Sequence, residues 1–330
     1  MKKALVIGID GYPKNPLAGC VNDAKAVASI LERNGDGSPN FSVILLTSDA
    51  LQITSEILES AVGQLFKGDA DTALLFFAGH GIINPVTNAG YLVSQNGAKG
   101  AWGMSLGEIL GLANGASPRI KSSVIILDSC HSGYAGEVSS IGNQAIAAIG
   151  DGVTILTACH REQTAAEEGG HGLFTGILLD GLNGSAADIC GRITPASVYS
   201  HVDQTLGPWE QRPIYKANVQ TFVTLREVSP KVPKEVLRRL PQYFPDAAYT
   251  YPLDPSFEPD RSNMSDDMKT KFPANEIHQR IFSELQQCNR HGLIAPIDVV
   301  HMYHAALESK ACKLTALGAH YRKLAFLNRI

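Results

Sequence analysis

Short apolar runs alternate with amphipathic segments over roughly the first 225 residues. Each run is too short for a buried helix, and several are rich in Val and Ile, which is typical of strands buried on both faces of a parallel sheet. Their regular alternation with helical patterns predicts an α/β sandwich with a mostly parallel central sheet. The predicted strands span residues 4–9, 41–46, 73–77, 123–127 and 153–157, with a closing strand over 220–225.

Helical periodicity fills most of the gaps between these strands. The segment 194–205 opens on Thr194 and Pro195, a capping residue followed by a proline that suits the first helical position. The other predicted helices span residues 22–33, 55–66, 106–113 and 172–182.

The pattern changes after residue 227. Two prolines within residues 229–234 indicate a linker, and residues 240–268, rich in Pro, Tyr and Asp, predict irregular structure. Helical periodicity returns over residues 275–287, 297–307 and 315–327. We therefore expect a first domain over 1–227, a linker and irregular segment over 228–274, and a small helical domain over 275–330.

Composition limits the class of protein. The chain has 330 residues, of which 44% are hydrophobic and 18% charged, so it can bury a sizeable core. Residues 1–227 carry 14 basic and 21 acidic side chains, whereas residues 228–330 carry 14 and 11, for a total of −4. This balance gives no case for general nucleic-acid binding. No apolar run is long enough for a membrane span. The six cysteines show no close pairing along the sequence, which favours reduced thiols, and we therefore expect a cytoplasmic location.

Two predicted strands end in residues that carry chemistry. The run 73–77 leads into Ala-Gly-His-Gly, and the run 123–127 leads into Asp-Ser-Cys-His-Ser-Gly. Because the carboxyl ends of parallel strands meet at one edge of a sheet, His80 and Cys130 are expected to lie side by side. An imidazole that assists a thiol makes a nucleophile for attack on a carbonyl. The backbone amides of Gly81 and Cys130 are predicted to form an oxyanion hole.

These motifs resemble the catalytic motifs of the caspase-like cysteine peptidases, in the metacaspase and bacterial orthocaspase branch. The resemblance covers roughly residues 3–225, and it implies a caspase-like α/β/α sandwich with His80 as the general base and Cys130 as the nucleophile. Three further motifs match in the expected order: Leu-Ala-Gly-Cys-Val-Asn-Asp-Ala (17–24), Leu-Thr-Ala-Cys-His-Arg-Glu-Gln-Thr-Ala (156–165) and His-Gly-Leu-Phe-Thr (171–175).

The same resemblance implies a substrate pocket lined by Cys20, Asp23 and Asp128. Two carboxylates in one pocket favour Arg or Lys before the scissile bond and disfavour Asp, because like charges repel. The family's serine two positions before the catalytic histidine is Ala78 here, which removes one polar contact. Alternatively, the carboxylates are structural, with Asp23 in the first turn of a helix, where the helix dipole favours a negative charge.

No cofactor or metal is expected. Many metacaspases need calcium, held by acidic residues after the catalytic histidine, but residues 82–96 contain no Asp or Glu. Calcium sites usually include carboxylates, so we predict no calcium requirement there. His131 and His160 each follow a cysteine directly, whereas zinc ligands are usually spaced about two to four residues apart, which argues against zinc.

The C-terminal module is interpreted as a regulatory sensor for an activating partner or an anionic, nucleotide-like small molecule; plain helix packing is the alternative. His, Tyr and Arg side chains there suit stacking and phosphate contacts. A weak role in DNA binding stays open, although nucleic acid is not the expected partner. The residues in question are His301, His304, His320, Tyr321 and Arg322.

The sequence therefore predicts a cysteine endopeptidase that cuts proteins after Arg or Lys and is regulated through its C-terminal module, as a bacterial stress or antiphage-defence effector. The alternative is a catalytically weak scaffold or binding protein with the same fold. No Lys or Arg lies between Lys121 and Arg161, so an enzyme of this specificity cannot cut itself there. Any self-cleavage is expected in the basic stretch 226–239.

Overall fold

The computed structural model describes residues 1–129, 149–158, 170–207 and 213–330, together with the backbone of 137–139 and 145–147. The chain forms two compact units, Met1–Ser229 and Pro230–Ile330. Among the described residues, no helix combines the length and the apolar character that a membrane crossing requires.

A six-stranded sheet forms the centre of the first unit, with the spatial order β12-β10-β7-β3-β1-β2. All neighbouring strands are parallel except β12, which runs antiparallel to β10 at one edge. Its strands are β1 (Lys2–Gly8), β2 (Phe41–Thr47), β3 (Ala70–Ala78), β7 (Ile120–Asp128), β10 (Val153–Thr157) and β12 (Ile214–Asn218).

Shorter strands lie outside this sheet. After β3 the chain forms a three-stranded antiparallel sheet that the apolar pattern did not predict, because it contains polar and glycine positions in place of an apolar run. These strands are β4 (Gly81–Ile83), β5 (Gly90–Ala98) and β6 (Ala101–Ser105), and the remaining pairs are β8 (Glu137–Ser139) with β9 (Ala145–Ala147) and β11 (Arg192–Ile193) with β13 (Arg226–Glu227).

Helices cover both faces of the central sheet, as the alternating pattern predicts. Side chains of successive strand residues point to opposite faces, so Leu75 and Phe77 enter one buried cluster while Leu74 and Phe76 enter the other. The helices of this unit are α1 (Cys20–Glu32), α2 (Ser55–Leu65), α3 (Leu106–Ala116), α4 (Leu173–Asp180), continued by a π-helical turn (Gly181–Ser185), and α5 (Pro195–Leu206).

The predicted closing strand over 220–225 is wrong. Val223 and Leu225 of that stretch are buried in the core rather than paired in the central sheet, and the edge strand is β12, a little earlier in the chain. Because β12 is paired on one side only and is half-exposed, its sequence is too polar to show an apolar run.

The second unit has its own core, built around the buried side chains of Phe244, Phe282 and Leu285. A three-stranded antiparallel sheet, in the order β14-β16-β15, accompanies its helices. Its elements are α6 (Lys234–Tyr243), β14 (Thr250–Pro252), a short 3₁₀ helix (Pro255–Phe257), α7 (Asp266–Lys271), α8 (Glu276–Arg290), β15 (Ile294–Pro296), α9 (Met302–Leu307), β16 (Ala311–Leu314) and α10 (Ala316–Phe326).

The segment 228–274 contains more regular structure than its composition predicts. Helix α6 begins directly after Pro233 and buries Val236, Leu237 and Leu240 along one side. Pro241 within this helix and the charged residues between its apolar positions hide the amphipathic pattern in the sequence.

Candidate active site

The site begins where β3 and β7 end side by side. Ala78 pairs with Asp128 in the parallel register, and the backbone N–H of Gly79 donates a hydrogen bond to the carbonyl oxygen of Asp128 at 3.2 Å. The residues that follow these two strands, His80 on one and Cys130 on the other, therefore start from the same edge of the sheet. Cys130 itself lies outside the described residues.

His80 is oriented by two contacts with the loop after β1. Its Nε2 lies 2.6 Å from the carbonyl oxygen of Asn15. A carbonyl oxygen can only accept, so Nε2 carries the proton and the lone pair of the neutral ring is on Nδ1. The ring of Tyr12 packs against the imidazole with centroids 4.5 Å apart, which holds the plane of the histidine.

Tyr12 also fixes the backbone at His80. Its hydroxyl accepts a hydrogen bond from the backbone N–H of His80 at 3.0 Å and donates one to the carbonyl oxygen of Val93, also at 3.0 Å. Gly79 leaves room for this hydroxyl: a Cβ at Gly79 would lie 2.6 Å from the Tyr12 Oη, closer than any real contact. A glycine before the histidine is therefore a steric requirement.

Two carboxylates lie together near this edge. Asp23, in the first turn of α1, is 2% exposed, and its Oδ1 lies 2.7 Å from Nδ1 of His171. Asp128, the last residue of β7, accepts a hydrogen bond from the Thr175 hydroxyl at 2.6 Å. Gly172 lies between the two carboxylates. A Cβ at this position would lie 3.2 Å from Asp128 Oδ2 and 3.3 Å from Asp23 Oδ2, which is a tight contact with both.

Burial and mutual repulsion shape the charge of this pair. The pKa of Asp23 is raised to about 6, chiefly by burial and in addition by the negative charge of Asp128, although the hydrogen bonds from His171 and from the Gly172 backbone act in the opposite direction. Burial also raises the pKa of the neighbouring Cys20 thiol, as do the nearby carboxylates of Asp10 and Asp128. The Cys20 thiol is thus neutral and no nucleophile at neutral pH.

Asp10 positions α1 and with it Cys20 and Asp23. The side chain of Asp10, just past the end of β1, accepts hydrogen bonds from the backbone N–H groups of Cys20 at 2.9 Å and Val21 at 3.1 Å. Helix α1 has Gly19 at its cap position, which offers no side chain for this purpose. Asp10 therefore caps the N-terminus of α1, although it lies outside the helix and ten residues before Cys20.

A cavity of about 510 Å³ opens beside His80, which forms part of its lining. Gly81, the first residue of β4, lines it beside His80, and so do Lys14, Lys99 and Trp102. Neither Asp23 nor Asp128 lines this cavity. Its position next to Gly81 is compatible with the oxyanion hole predicted from the sequence, whose second amide, that of Cys130, lies outside the described residues.

The remaining candidates from the sequence divide between packing and undescribed positions. Cys20, Cys190, Cys288 and Cys312 are free thiols, and the last three are buried. Arg322 donates hydrogen bonds to the carbonyl oxygens of Phe244 and Pro245, at the end of α6, so its guanidinium is used within the second unit. Also outside the described residues lie Cys159, His131 and His160.

Five residues with a part in this site were not identified from the sequence. Gly172, His171 and Thr175 belong to a motif that was recognised, but without a role. Tyr12 acts through one hydroxyl, and Asn15 acts through a backbone carbonyl that any residue would supply, so neither carried a signal. Within the described part of the chain, no group of three or more His, Cys, Asp or Glu side chains is arranged to hold a metal ion.

Comparisons with known proteins give one family match and several structural likenesses at low sequence identity. Residues 1–224 match the family model described as the caspase domain. Protein GSU0716 from Geobacter sulfurreducens is 18% identical over 69% of this chain and 97% of its own, with a TM-score of 0.48. Caspase-1 from Spodoptera frugiperda is 12% identical over 69% of this chain and 90% of its own, with a TM-score of 0.47. No curated protein matches the sequence.

Proposed function

The chain belongs to the caspase-domain family, whose members are cysteine peptidases, and from this premise we propose that it is an endopeptidase that cuts proteins after Arg or Lys with a Cys130–His80 dyad. The observation that carries the proposal is the pair of carboxylates, Asp23 and Asp128, held beside the strand end that leads to Cys130. They are the acidic groups that a basic side chain needs for recognition.

The histidine geometry supports a role as general base. The Nε2–H group of His80 donates a hydrogen bond to the carbonyl oxygen of Asn15, so the lone pair on Nδ1 can accept the proton of the Cys130 thiol. The thiolate attacks the scissile carbonyl, and the protonated imidazole then gives its proton to the leaving amine. Water, deprotonated by the same imidazole, hydrolyses the thioester and regenerates the thiol.

The carboxylate pair supports selection by charge. A guanidinium or ammonium group placed beside Asp23 and Asp128 offsets the repulsion between the two carboxylates and gains charge-assisted hydrogen bonds. Cys20 adds a neutral wall. An Asp side chain in the same position would meet two negative charges, so cleavage after Asp is not expected.

Peptide hydrolysis tests the proposal directly. Fluorogenic peptides that end in Arg, Lys or Asp are offered to the full chain, with and without calcium. Cleavage after Arg and Lys, lost in Cys130→Ala and retained in the matched cysteine control Cys312→Ala, is the expected result. Calcium should make no difference. Cleavage after Asp would refute the pocket assignment, and activity that survives in Cys130→Ala would refute the dyad.

Residues 230–330 are proposed to regulate the peptidase unit in response to an activating partner or an anionic small molecule. Their support is that they form a separate compact unit with its own core. Membership of the metacaspase and orthocaspase branch and a place in stress or antiphage defence are proposals of the same kind, supported by the motifs. A scaffold without activity would be favoured if no peptide were cleaved under any condition.

Self-cleavage, if it releases the second unit, is proposed to occur after Lys231. Lys231 is exposed in the segment between β13 and α6. Val232 is fully buried, so this segment must open locally before cleavage. Intact-mass analysis of active protein should show a cut that Lys231→Gln abolishes; a persistently uncut chain would remove the idea.

A further inference from the structure

The cavity beside His80 differs in charge from the carboxylate pair. Two lysines, Lys14 from the loop after β1 and Lys99 from the turn between β5 and β6, line it, and among the described residues its lining contains no Asp or Glu. Both lysines are exposed, and no described carboxylate lies within ion-pair distance of either. The cavity is therefore a positively charged space of about 510 Å³, in the size range of pockets that hold ligands.

The polar groups of its walls are already used to hold the cavity open. Gln95 accepts a hydrogen bond from the backbone N–H of Ile53 at 2.6 Å and donates one to the carbonyl oxygen of Gly11 at 2.7 Å. Asn96 accepts from the backbone N–H of Ser55 at 2.9 Å. These bonds tie β5 to the helix and loop beside it, and they leave the two ammonium groups as the charged donors that face a ligand.

The place of His80 decides which part of a substrate meets this cavity. In the dyad mechanism the imidazole gives its proton to the leaving amine, so the residues after the scissile bond pass the histidine. His80 and Gly81 form part of the cavity lining, whereas Asp23 and Asp128, which are assigned to the residue before the bond, do not. The two sites are thus distinct, and their described side chains have opposite charge.

We propose that this cavity is the subsite for the leaving-group side of the substrate and that Lys14 and Lys99 select acidic side chains there. The inference rests on the proposed function, because it uses His80 to orient the substrate. The preferred substrate has Arg or Lys before the scissile bond and Asp or Glu within the next few residues. Trp102, whose ring packs at 5.3 Å from that of Tyr91, offers an apolar surface for the aliphatic part of these side chains.

Paired peptides test the selection. Internally quenched peptides share one sequence through Arg and continue with Gly-Glu-Glu or with Gly-Gln-Gln. Exposed ion pairs are modest, so two of them should favour the Glu peptide in kcat/KM by about tenfold at low salt, a preference that decreases as salt screens the charges. In Lys14→Gln/Lys99→Gln the ratio should fall to about one.

Lys67→Gln/Lys121→Gln is the matched control. This variant also removes two positive charges, but near the starts of β3 and β7, at the opposite edge of the sheet. It should keep the wild-type preference for the Glu peptide. An equal ratio in the wild type and the Lys14/Lys99 variant, or a ratio that the control lowers to the same extent, would overturn the inference.

A binding measurement separates this inference from the proposed activity. Fluorescently labelled Gly-Glu-Glu and Gly-Gln-Gln peptides are titrated against the full chain with Cys130→Ala, and anisotropy reports their affinity without any cleavage. Tighter binding of the Glu peptide, lost in the Lys14/Lys99 variant, supports the cavity assignment even if no substrate is hydrolysed, in which case the peptidase proposal alone fails. Equal affinities together with active hydrolysis refute the cavity assignment alone.

Discussion

Acidification should weaken recognition of arginine before it affects an uncharged substrate. Burial raises the pKa of Asp23 to about 6, and only the ionised carboxylate attracts a guanidinium. The carboxyl group would be about 90% ionised at pH 7 and about 10% ionised at pH 5. Since kcat/KM reports the ionisation of the free enzyme, the contribution of Asp23 to arginine recognition should fall about ninefold over this interval.

The assay must separate the effect of pH on the proposed pocket from its effect on the chemical step. We therefore take the ratio of kcat/KM for a peptide with arginine to that for the same peptide with citrulline, its neutral isostere. Effects on the dyad act on both peptides and cancel in the ratio. The expected ratio is constant above about pH 7 and decreases through pH 6.

Two variants identify the group responsible. Asp23→Asn should give a low ratio without the acid limb. His171→Ala should move the limb to higher pH, because the hydrogen bond from His171 lowers the pKa of Asp23 and its loss lets that pKa rise. A ratio that stays flat from pH 5 to pH 8 in the wild type, or an unchanged limb in Asp23→Asn, would refute the reasoning.

Three further predictions concern stability and positioning. The pKa of Asp23 is higher in the folded chain than its ordinary 3.8, so the ionised carboxylate destabilises the fold above pH 6 and not below pH 4. Asp23→Asn should therefore raise the free energy of unfolding at pH 7, measured by urea denaturation, by about 1–3 kcal/mol. A variant that is no more stable than the wild type would contradict the raised pKa. Tyr12→Phe removes the hydroxyl that accepts a hydrogen bond from the backbone N–H of His80. This variant should lower kcat about tenfold with little change in KM. A change confined to KM would show that the tyrosine does not position the histidine. In the second unit, Arg239→Leu removes the charged partner of Glu284, which the arginine contacts at 2.7 and 2.8 Å, and leaves the hydrogen bond from the Tyr243 hydroxyl. The substitution should cost about 2 kcal/mol, whereas replacing both Arg239 and Glu284 by Leu should cost less; additive losses would mean that the pair is not coupled.

Much of the fold was predictable because the buried strands leave a strong pattern. The five parallel strands were all predicted from apolar runs: β1, β3, β7 and β10 are buried at most positions, and the edge strand β2 is partly exposed but keeps an apolar sequence. The edge strand β12 and the small sheet β4–β6 were missed because their strands are partly exposed and carry few apolar residues. The strands β14–β16 of the second unit were missed because each has only three or four residues, too few to show a period.

The candidate site divides in a similar way. His80 and Cys130 were proposed from the sequence because they follow two strands of one parallel sheet, and Asp23 and Asp128 because the resemblance to caspase-like motifs implies a role for them. The contacts that position His80 could not be predicted from the sequence. One of them is a backbone carbonyl, at Asn15, and carbonyl groups are the same in every residue.

The order of apolar runs and the residue types at the strand ends were enough to establish the layered architecture, the caspase-like family and the candidate chemistry, because these depend on local periodicity and on side-chain identity. Tertiary structure alone decided the tautomer of His80, the close approach of two carboxylates across Gly172, and the separation of the lysine-lined cavity from the acidic pair. Each of these depends on the distance between residues far apart in the chain, and no local pattern encodes such a distance.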